Sequence, residues 1–162
     1  MPFHLSQCRT RQILEDIGVT GYAKTSGSTG IHIYIPLGAN YTYEQSQLFA
    51  RLMVRQLNRE LPKFTTLERS IRKRGGKMYI DFLQNRPGVT IVGVYSLRPK
   101  PGATVSMPLD WDEVKQGLKM KDFTVFSDID RLKETGDLFS GVLINGIDMQ
   151  KKIIQQAQGK FS

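Results

Sequence analysis

The sequence predicts a single α/β domain over residues 1–162, of the two-layer α+β type. Three observations point there. Helical and strand periodicities alternate along the chain, Gly and Pro punctuate them at short intervals, and no repeat, low-complexity tract or linker divides the sequence. A chain of 162 residues is one domain's worth and long enough to bury a real core.

The elements follow in order. Residues 6–17 read as an amphipathic helix with Ile13, Leu14 and Ile17 inward, stopped by Gly18 and Gly21. Tyr22–Lys24 reads as a short strand entering the Ser/Gly-rich stretch 26–30, and Ile31-His32-Ile33-Tyr34-Ile35 alternates as a strand does. Tyr43 to Leu61 is the strongest helix, with Thr42 and Gln45 as a capping box and Pro62 closing it. Leu48, Phe49, Leu52, Met53 and Leu57 are its expected buried stripe, and Arg51, Arg55 and Arg59 step along one flank. Residues 69–77 form a basic loop ending in a glycine turn. Met78–Leu83 reads as a strand containing Asp81, and Val89–Val94 as a β-branched strand after the turn at 85–88. Pro99, Pro101 and Gly102 imply a stiff extended segment. Asp110-x-x-Glu113 is a helix start, Phe123–Phe126 an edge strand, Ile129–Glu134 a short helix, and Asp148 to Gln158 a polar helix.

The net charge of +8 is concentrated: residues 51–100 carry twelve basic and three acidic side chains. The remaining stretches nearly balance. Such a concentration points to a polyanionic partner, DNA or nucleotide, although a merely solvated basic face would give the same count. Arg69, Arg72, Lys73, Arg74 and Lys77 are the candidates for contact with a DNA backbone. No apolar run is long enough to span a bilayer and no basic-then-apolar leader follows Met1, so the cytoplasm is the expected location. The lone Cys8 excludes an intramolecular disulfide, and with only His4 and His32 beside it a structural zinc site is not expected.

Three pieces carry chemistry. Ser26-Gly27-Ser28-Thr29-Gly30 offers hydroxyls and close backbone approach to phosphate, with His32 just beyond, although an ordinary Ser/Gly turn and a structural histidine fit the same residues. It is not a Walker loop, because no Gly-Lys-Ser/Thr follows. Asp81 reads either as a metal ligand or as a partner for a nearby arginine, and one aspartate cannot assemble a two-metal site. Glu15, Asp16 and Glu44 are the other early carboxylates, and none belongs to an Asp-x-Asp pair. Arg98, ahead of Pro99, has a fork suited to triphosphate oxygens or, alternatively, to pairing with Asp110 or Asp112.

The stretch from Lys24-Thr25-Ser26-Gly27 to Trp111-Asp112-Glu113-Val114 resembles the polymerase domain of the bacterial end-joining multifunctional DNA ligases, ligase D, within the archaeo-eukaryotic primase superfamily. The matching runs are 24–37, Asp-Phe-Leu-Gln-Asn at 81–85, Tyr-Ser-Leu-Arg-Pro at 95–99 within 95–102, and 105–114, with weaker similarity to Asp137-Leu138-Phe139. The resemblance covers the later, C-terminal half of that domain. It implies a primase-polymerase core with an RRM-like sheet and helices on one side. It further implies a DNA-repair nucleotidyltransferase acting at the bacterial nucleoid. Asp81 would be its third catalytic, metal-binding carboxylate, with Ser26, Ser28, Thr29, Gly30, His32 and Arg98 binding nucleoside triphosphate. Thr29 stands where that family commonly has Lys. The two metal-binding aspartates of the family would fall before Met1, together with their strand.

Four expectations follow. Mg²⁺ or Mn²⁺ would bind only if the missing carboxylates are supplied. The chain alone would be inactive. An exposed sheet edge would be covered by a second copy or by a separate chain carrying the N-terminal half, and a ligase domain is a further partner. The alternative is a non-catalytic nucleotide- or DNA-binding module, and a gene remnant without a cellular role is the third reading.

Overall fold

The structure, a computed structural model, describes residues 2–144 and 146–158, and the side chain of His4 lies outside that description. The fold is mixed α/β, and the chain forms two compact units. Unit 1 comprises residues 1–19, 39–90 and 147–162, and unit 2 comprises residues 20–38 and 91–146. Fifteen basic and seven acidic side chains fall in unit 1 against eight of each in unit 2, so the whole +8 belongs to unit 1.

Unit 1 is built on three helices. The first, α1 (Pro2–Asp16), buries Ile13 and Leu14 on its inner face, with Ile17 just past its end, as the periodicity requires. It ends in a Schellman motif: Gly18 N–H donates to Glu15 O and Val19 N–H to Leu14 O, each at 2.8 Å, with Gly18 at φ +61°. Helix α2 (Tyr43–Glu60) begins with the expected capping box, in which Thr42 N–H donates to Gln45 Oε1 at 2.9 Å and Gln45 N–H returns to Thr42 Oγ1 at 3.3 Å. Its buried stripe is Phe49, Met53 and Leu57, one residue per turn. Leu52 is half-buried, and Leu48, expected inside, is 52% exposed because it lies a full residue off that narrow line. Arg9 on α1 pairs with Glu60 on α2. Strands β3 (Thr65–Thr66) and β4 (Met78–Tyr79) run parallel, and α4 (Met149–Gln158) is the expected tail helix.

Unit 2 carries an antiparallel sheet of order β2-β1-β5, from β1 (Tyr22–Thr25), β2 (Ile31–Tyr34) and β5 (Pro108–Leu109). Its register pairs Lys24 with His32 on one side and with Pro108 on the other. Alternation along β1 therefore sends Tyr22 and Lys24 to one face, opposite Tyr34 and His32, while Ala23 joins the apolar core with Val105, Met107, Leu109, Val114 and Phe123. On the first face Phe139 stacks edge-on against both Tyr22 and Tyr34. Helix α3 (Val125–Thr135) completes the unit.

Several expected elements change shape, each for a local reason. The strand from Met78 stops at Tyr79, because the Asp81 carboxylate accepts the Leu83 N–H at 2.8 Å and folds the chain into a turn. No strand forms over 89–94, where Tyr95 follows at φ +62°, a left-handed conformation that ends extended backbone. Residues 99–102 turn instead of extending: Lys100 N–H reaches Arg98 O at 2.8 Å and Ala103 N–H reaches Lys100 O at 2.9 Å, so Leu97 and Val105 pair across a hairpin. Asp110 and Glu113 do cap one another, but only a 3₁₀ turn over Trp111–Glu113 results. The edge strand at 123–126 reduces to a single bridge between Thr104 and Thr124, because Thr124 and Ser127 form a capping box that starts α3 at Val125.

Candidate functional site

The Ser/Gly loop of unit 2 rests on a buried polar network. Lys24, Thr25 and Ser106 are all 0% exposed. Thr25 Oγ1 donates to Val105 O and accepts Met107 N–H, both at 2.9 Å, while Ser106 Oγ donates to Thr25 O at 2.7 Å. Lys24 Nζ donates to Ser106 Oγ at 2.5 Å and to Val92 O at 2.9 Å. Each buried donor thus meets an acceptor, which is what makes such a network rigid.

Within the loop, Ser26 acts on its own backbone. Its Oγ accepts N–H groups from Ser28 at 3.2 Å and Gly30 at 3.1 Å, and its N–H donates to Gly30 O at 2.8 Å. Ser26 therefore shapes the loop, and the N–H groups of Ser28 and Gly30, expected to face phosphate, are already occupied. The hydroxyls of Ser28 and Thr29, by contrast, make no hydrogen bond among the described residues, and Thr29 is exposed. Gly27 is held from below, its carbonyl accepting Thr104 Oγ1 at 2.6 Å. At φ +63° it has no room for a side chain: a Cβ there would lie 2.4 Å from Arg98 Cγ and 3.1 Å from the Val105 carbonyl carbon.

Arg98 therefore packs directly on Gly27. Its backbone N–H donates to Thr104 O at 2.7 Å, fixing its base in the hairpin. Its Nε is buried without a partner, and it forms no ion pair with Asp110, Asp112 or any other described carboxylate. The electrostatics are lopsided. Burial, aided by the Arg98 charge, pulls the Lys24 ammonium down to about 8. Among the described residues these two cations meet no carboxylate. His32 is half-buried on β2, directly across the ladder from Lys24.

Asp81 and the basic loop belong to unit 1. Asp81 is exposed, and its partners are neutral: Tyr79 OH at 3.3 Å, Leu83 N–H at 2.8 Å and Gln84 Nε2 at 3.2 Å. The neighbouring arginines do not pair with it. Among the described residues no group of three or more His, Cys, Asp or Glu side chains is placed to hold a metal, so Asp81 offers one carboxylate and not a centre. In the basic loop, Arg74 stacks 4.5 Å over Tyr79 and donates to Glu68 O and Arg69 O, while Lys77 Nζ donates to Pro62 O at 2.7 Å. Those two are structural ties. Arg69, Arg72 and Lys73 are exposed and make no side-chain hydrogen bond or ion pair among the described residues.

Sequence reasoning missed Lys24, Ser106 and Tyr95 as parts of this arrangement. An isolated lysine in an apolar strand was the available signal for the first. No helix among the described residues is long and apolar enough to cross a membrane.

Comparison with known proteins identifies the family of the chain. Residues 6–139 match the family described as LigD, primase-polymerase domain. The bifunctional non-homologous end joining protein LigD of Bacillus subtilis is 39% identical over 127 residues, which are 78% of this chain and 21% of that protein. The multifunctional LigD of Mycolicibacterium smegmatis is 33% identical over 130 residues, 80% of this chain and 17% of that protein. The chain thus spans about a fifth of the length of these curated relatives. Among solved structures, the polymerase domain from Mycobacterium tuberculosis ligase D in complex with DNA superposes with a TM-score of 0.80 at 28% identity, covering 91% of this chain and 52% of that one. The chain belongs to the LigD primase-polymerase domain family.

Proposed function

We propose that this chain is part of a DNA-repair nucleotidyltransferase of the LigD polymerase type, that it binds a nucleoside triphosphate and DNA, and that it adds no nucleotides alone. The observation that carries the nucleotide reading is Arg98: a half-buried guanidinium without a carboxylate, packed on the glycine of a hydroxyl-bearing loop. Its fork takes triphosphate oxygens, Ser28 and Thr29 donate hydroxyl hydrogen bonds, and His32 adds a further polar group to the same face. DNA binds through Arg69, Arg72 and Lys73 of unit 1, whose charged heads meet the phosphate backbone. The solved relative in complex with DNA supports DNA binding, and the three residues are assigned from their charge and exposure. Asp81 contributes one carboxylate to a Mg²⁺ or Mn²⁺ site whose other ligands come from another segment or chain. The outer edge of β2 takes a strand from that same source or from a second copy. A sedimentation profile that stays monomeric at high concentration would remove the second copy.

The test is ATP binding by calorimetry beside primer extension with Mg²⁺ and Mn²⁺. Expected are measurable ATP affinity that falls at least tenfold in Arg98→Gln, and no extension. Extension by the chain alone overturns the inactivity, and unchanged affinity in Arg98→Gln overturns the nucleotide site. A non-catalytic binding module is the second reading, favoured by the neutral partners that already occupy both Asp81 oxygens. Binding that is indifferent to metal and to Asp81→Asn supports that reading. Metal-dependent binding lost in Asp81→Asn supports the catalytic one.

A further inference from the structure

Lys24 does something its surroundings do not require. A lysine with no exposed surface is rare unless a carboxylate pairs with it. Among the described residues the ammonium meets only neutral acceptors, Ser106 Oγ and Val92 O, with the Tyr34 ring 5.6 Å away. A methionine or leucine would fill the same volume without the desolvation cost, so packing alone does not explain a charge at this position. Its contacts are specific instead. Val92 lies before the strained Tyr95, whose N–H donates to Ser106 O at 2.8 Å, and Ser106 N–H returns to Ser96 O at 2.9 Å. The two chain segments that lead into and out of the Arg98 hairpin are therefore both held by one ammonium.

We propose that Lys24 is a positioning residue for triphosphate binding: from beneath the Ser/Gly loop it clamps the two arms of the Arg98 hairpin and leaves an excess positive charge that a bound anion neutralises. This inference rests on the nucleotide reading given above. Lys24 itself touches no ligand; it acts through Arg98 and through the field it sets up in a poorly solvated site.

The consequence is proton linkage. Lys24 sits near its ionisation midpoint in mildly alkaline solution, held down by burial and by Arg98. An anion binding nearby favours its charged form, so binding takes up a proton, and affinity falls as pH rises and the ammonium is lost. The other groups facing Lys24 are His32 and Tyr34 from β2 and Arg98. Burial raises the Tyr34 phenol above its ordinary range, which puts it above the window.

The experiment is the pH dependence of ATP affinity on the whole chain, from about pH 7.5 to about pH 9.5, in wild type, Lys24→Met and Arg98→Gln. If the anion raises the ammonium by about one pH unit, wild-type affinity falls about sixfold across this range, with net proton uptake near pH 8 measured in buffers of different ionisation enthalpy. Lys24→Met binds weakly with a flat profile. Affinity independent of pH with no proton uptake in wild type overturns the proposal even if Lys24→Met fails to fold. A Lys24→Met variant that keeps the wild-type slope overturns it equally. Arg98→Gln separates the two readings: unchanged affinity there removes the nucleotide site itself, whereas weakened affinity beside a flat wild-type profile removes only the role of Lys24.

Discussion

Gly27→Ala and Gly30→Ala are the same chemical change three residues apart in one loop, and the structure assigns them opposite outcomes. Gly27 adopts φ +63°, where an L-residue costs roughly 1–2 kcal/mol. Its new Cβ would stand 2.4 Å from Arg98 Cγ, 3.1 Å from the Val105 carbonyl carbon and 3.2 Å from Ser106 N. The first contact lies near the root of the arginine, so the whole side chain must swing away. The other two are backbone atoms locked by the Thr25–Ser106 hydrogen bonds and yield little. Overpacking of this kind adds about 1–2 kcal/mol. The total of about 2–4 kcal/mol lowers the melting temperature by about 5–15 °C for a chain of this size. Gly30 has open space around its Cβ position and no positive φ, so Gly30→Ala stays within about 0.5 kcal/mol of wild type or gains slightly from the stiffer unfolded chain. Urea and thermal denaturation read the stability. ATP calorimetry reads the displaced Arg98, with an expected loss of about tenfold or more in Gly27→Ala. A Gly27→Ala melt within 2 °C of wild type, or an equal fall in Gly30→Ala, refutes the reasoning (a shift of that size corresponds to roughly 1 kcal/mol or less).

Asp128 on α3 is 5% exposed and its Oδ2 has no partner, so burial raises its carboxyl above the ordinary range. A raised carboxyl contributes stability that is present below the unfolded value near 3.8 and lost as pH rises through the folded one; Asp128→Asn should therefore stabilise by about 1 kcal/mol at neutral pH and nothing at acid pH, by denaturant titration at both. Tyr95 OH donates to Asp137 Oδ1 at 2.5 Å, and burial first, then that bond, raises the phenol. Tyr95→Phe should cost about 1–2 kcal/mol below pH 10 and remove part of the alkaline loss of stability, since a raised phenol stabilises below its unfolded value of 10 and loses that contribution above it. Replacing Arg69, Arg72 and Lys73 together by Ala should flatten the logarithmic salt dependence of DNA affinity by about 2–3 units, one per lost phosphate contact. Lys77→Ala, which breaks a structural tie to Pro62 O, should lower the melting temperature and leave most of that slope intact.

The long regular pieces of this fold were legible because they obey local rules. The capping box at Thr42 and Gln45, the stop at Gly18 and the alternation at 31–34 depend on neighbours a few residues away. What failed was extended structure without a local signature. The apolar run 89–94 has strand composition, yet its Val92 carbonyl is taken by Lys24, a residue 68 positions earlier, and Tyr95 bends the chain out of extension. At 123–126 a signal was present and misread: Thr124 and Ser127 spell a capping box, but the aromatic residues on both sides look like an edge strand. The site divides in the same way. The Ser/Gly loop and Arg98 stood out by type and spacing. That Arg98 packs on Gly27 follows from the hairpin at 97–105, which no local pattern encodes. Lys24 went unremarked in a strand read only as short; its burial follows from strand partners on both sides and from Ser106, 82 residues later, which no local pattern encodes.

Charge is distributed in two physically different ways, and this bears on how each half of the proposed function responds to solution conditions. Unit 1 holds the entire net excess, mostly on long exposed side chains. At physiological ionic strength such charges are screened beyond about 8 Å, so they supply affinity that is broad, additive and steeply salt-dependent. Unit 2 is neutral in total, yet a buried ammonium and an unpartnered guanidinium lie at one loop. Water and counterions reach that pair poorly, so its attraction for an anion resists salt and responds instead to protonation. Net charge by sequence would have assigned Arg98 to the same basic stretch as Arg69–Lys77, because the count runs along the chain. The fold assigns them to different units. DNA affinity should therefore follow salt and ignore mild alkali, whereas triphosphate affinity should follow pH and largely ignore salt; a protein whose two affinities moved together under both conditions would have a single diffuse basic surface and no built anion site.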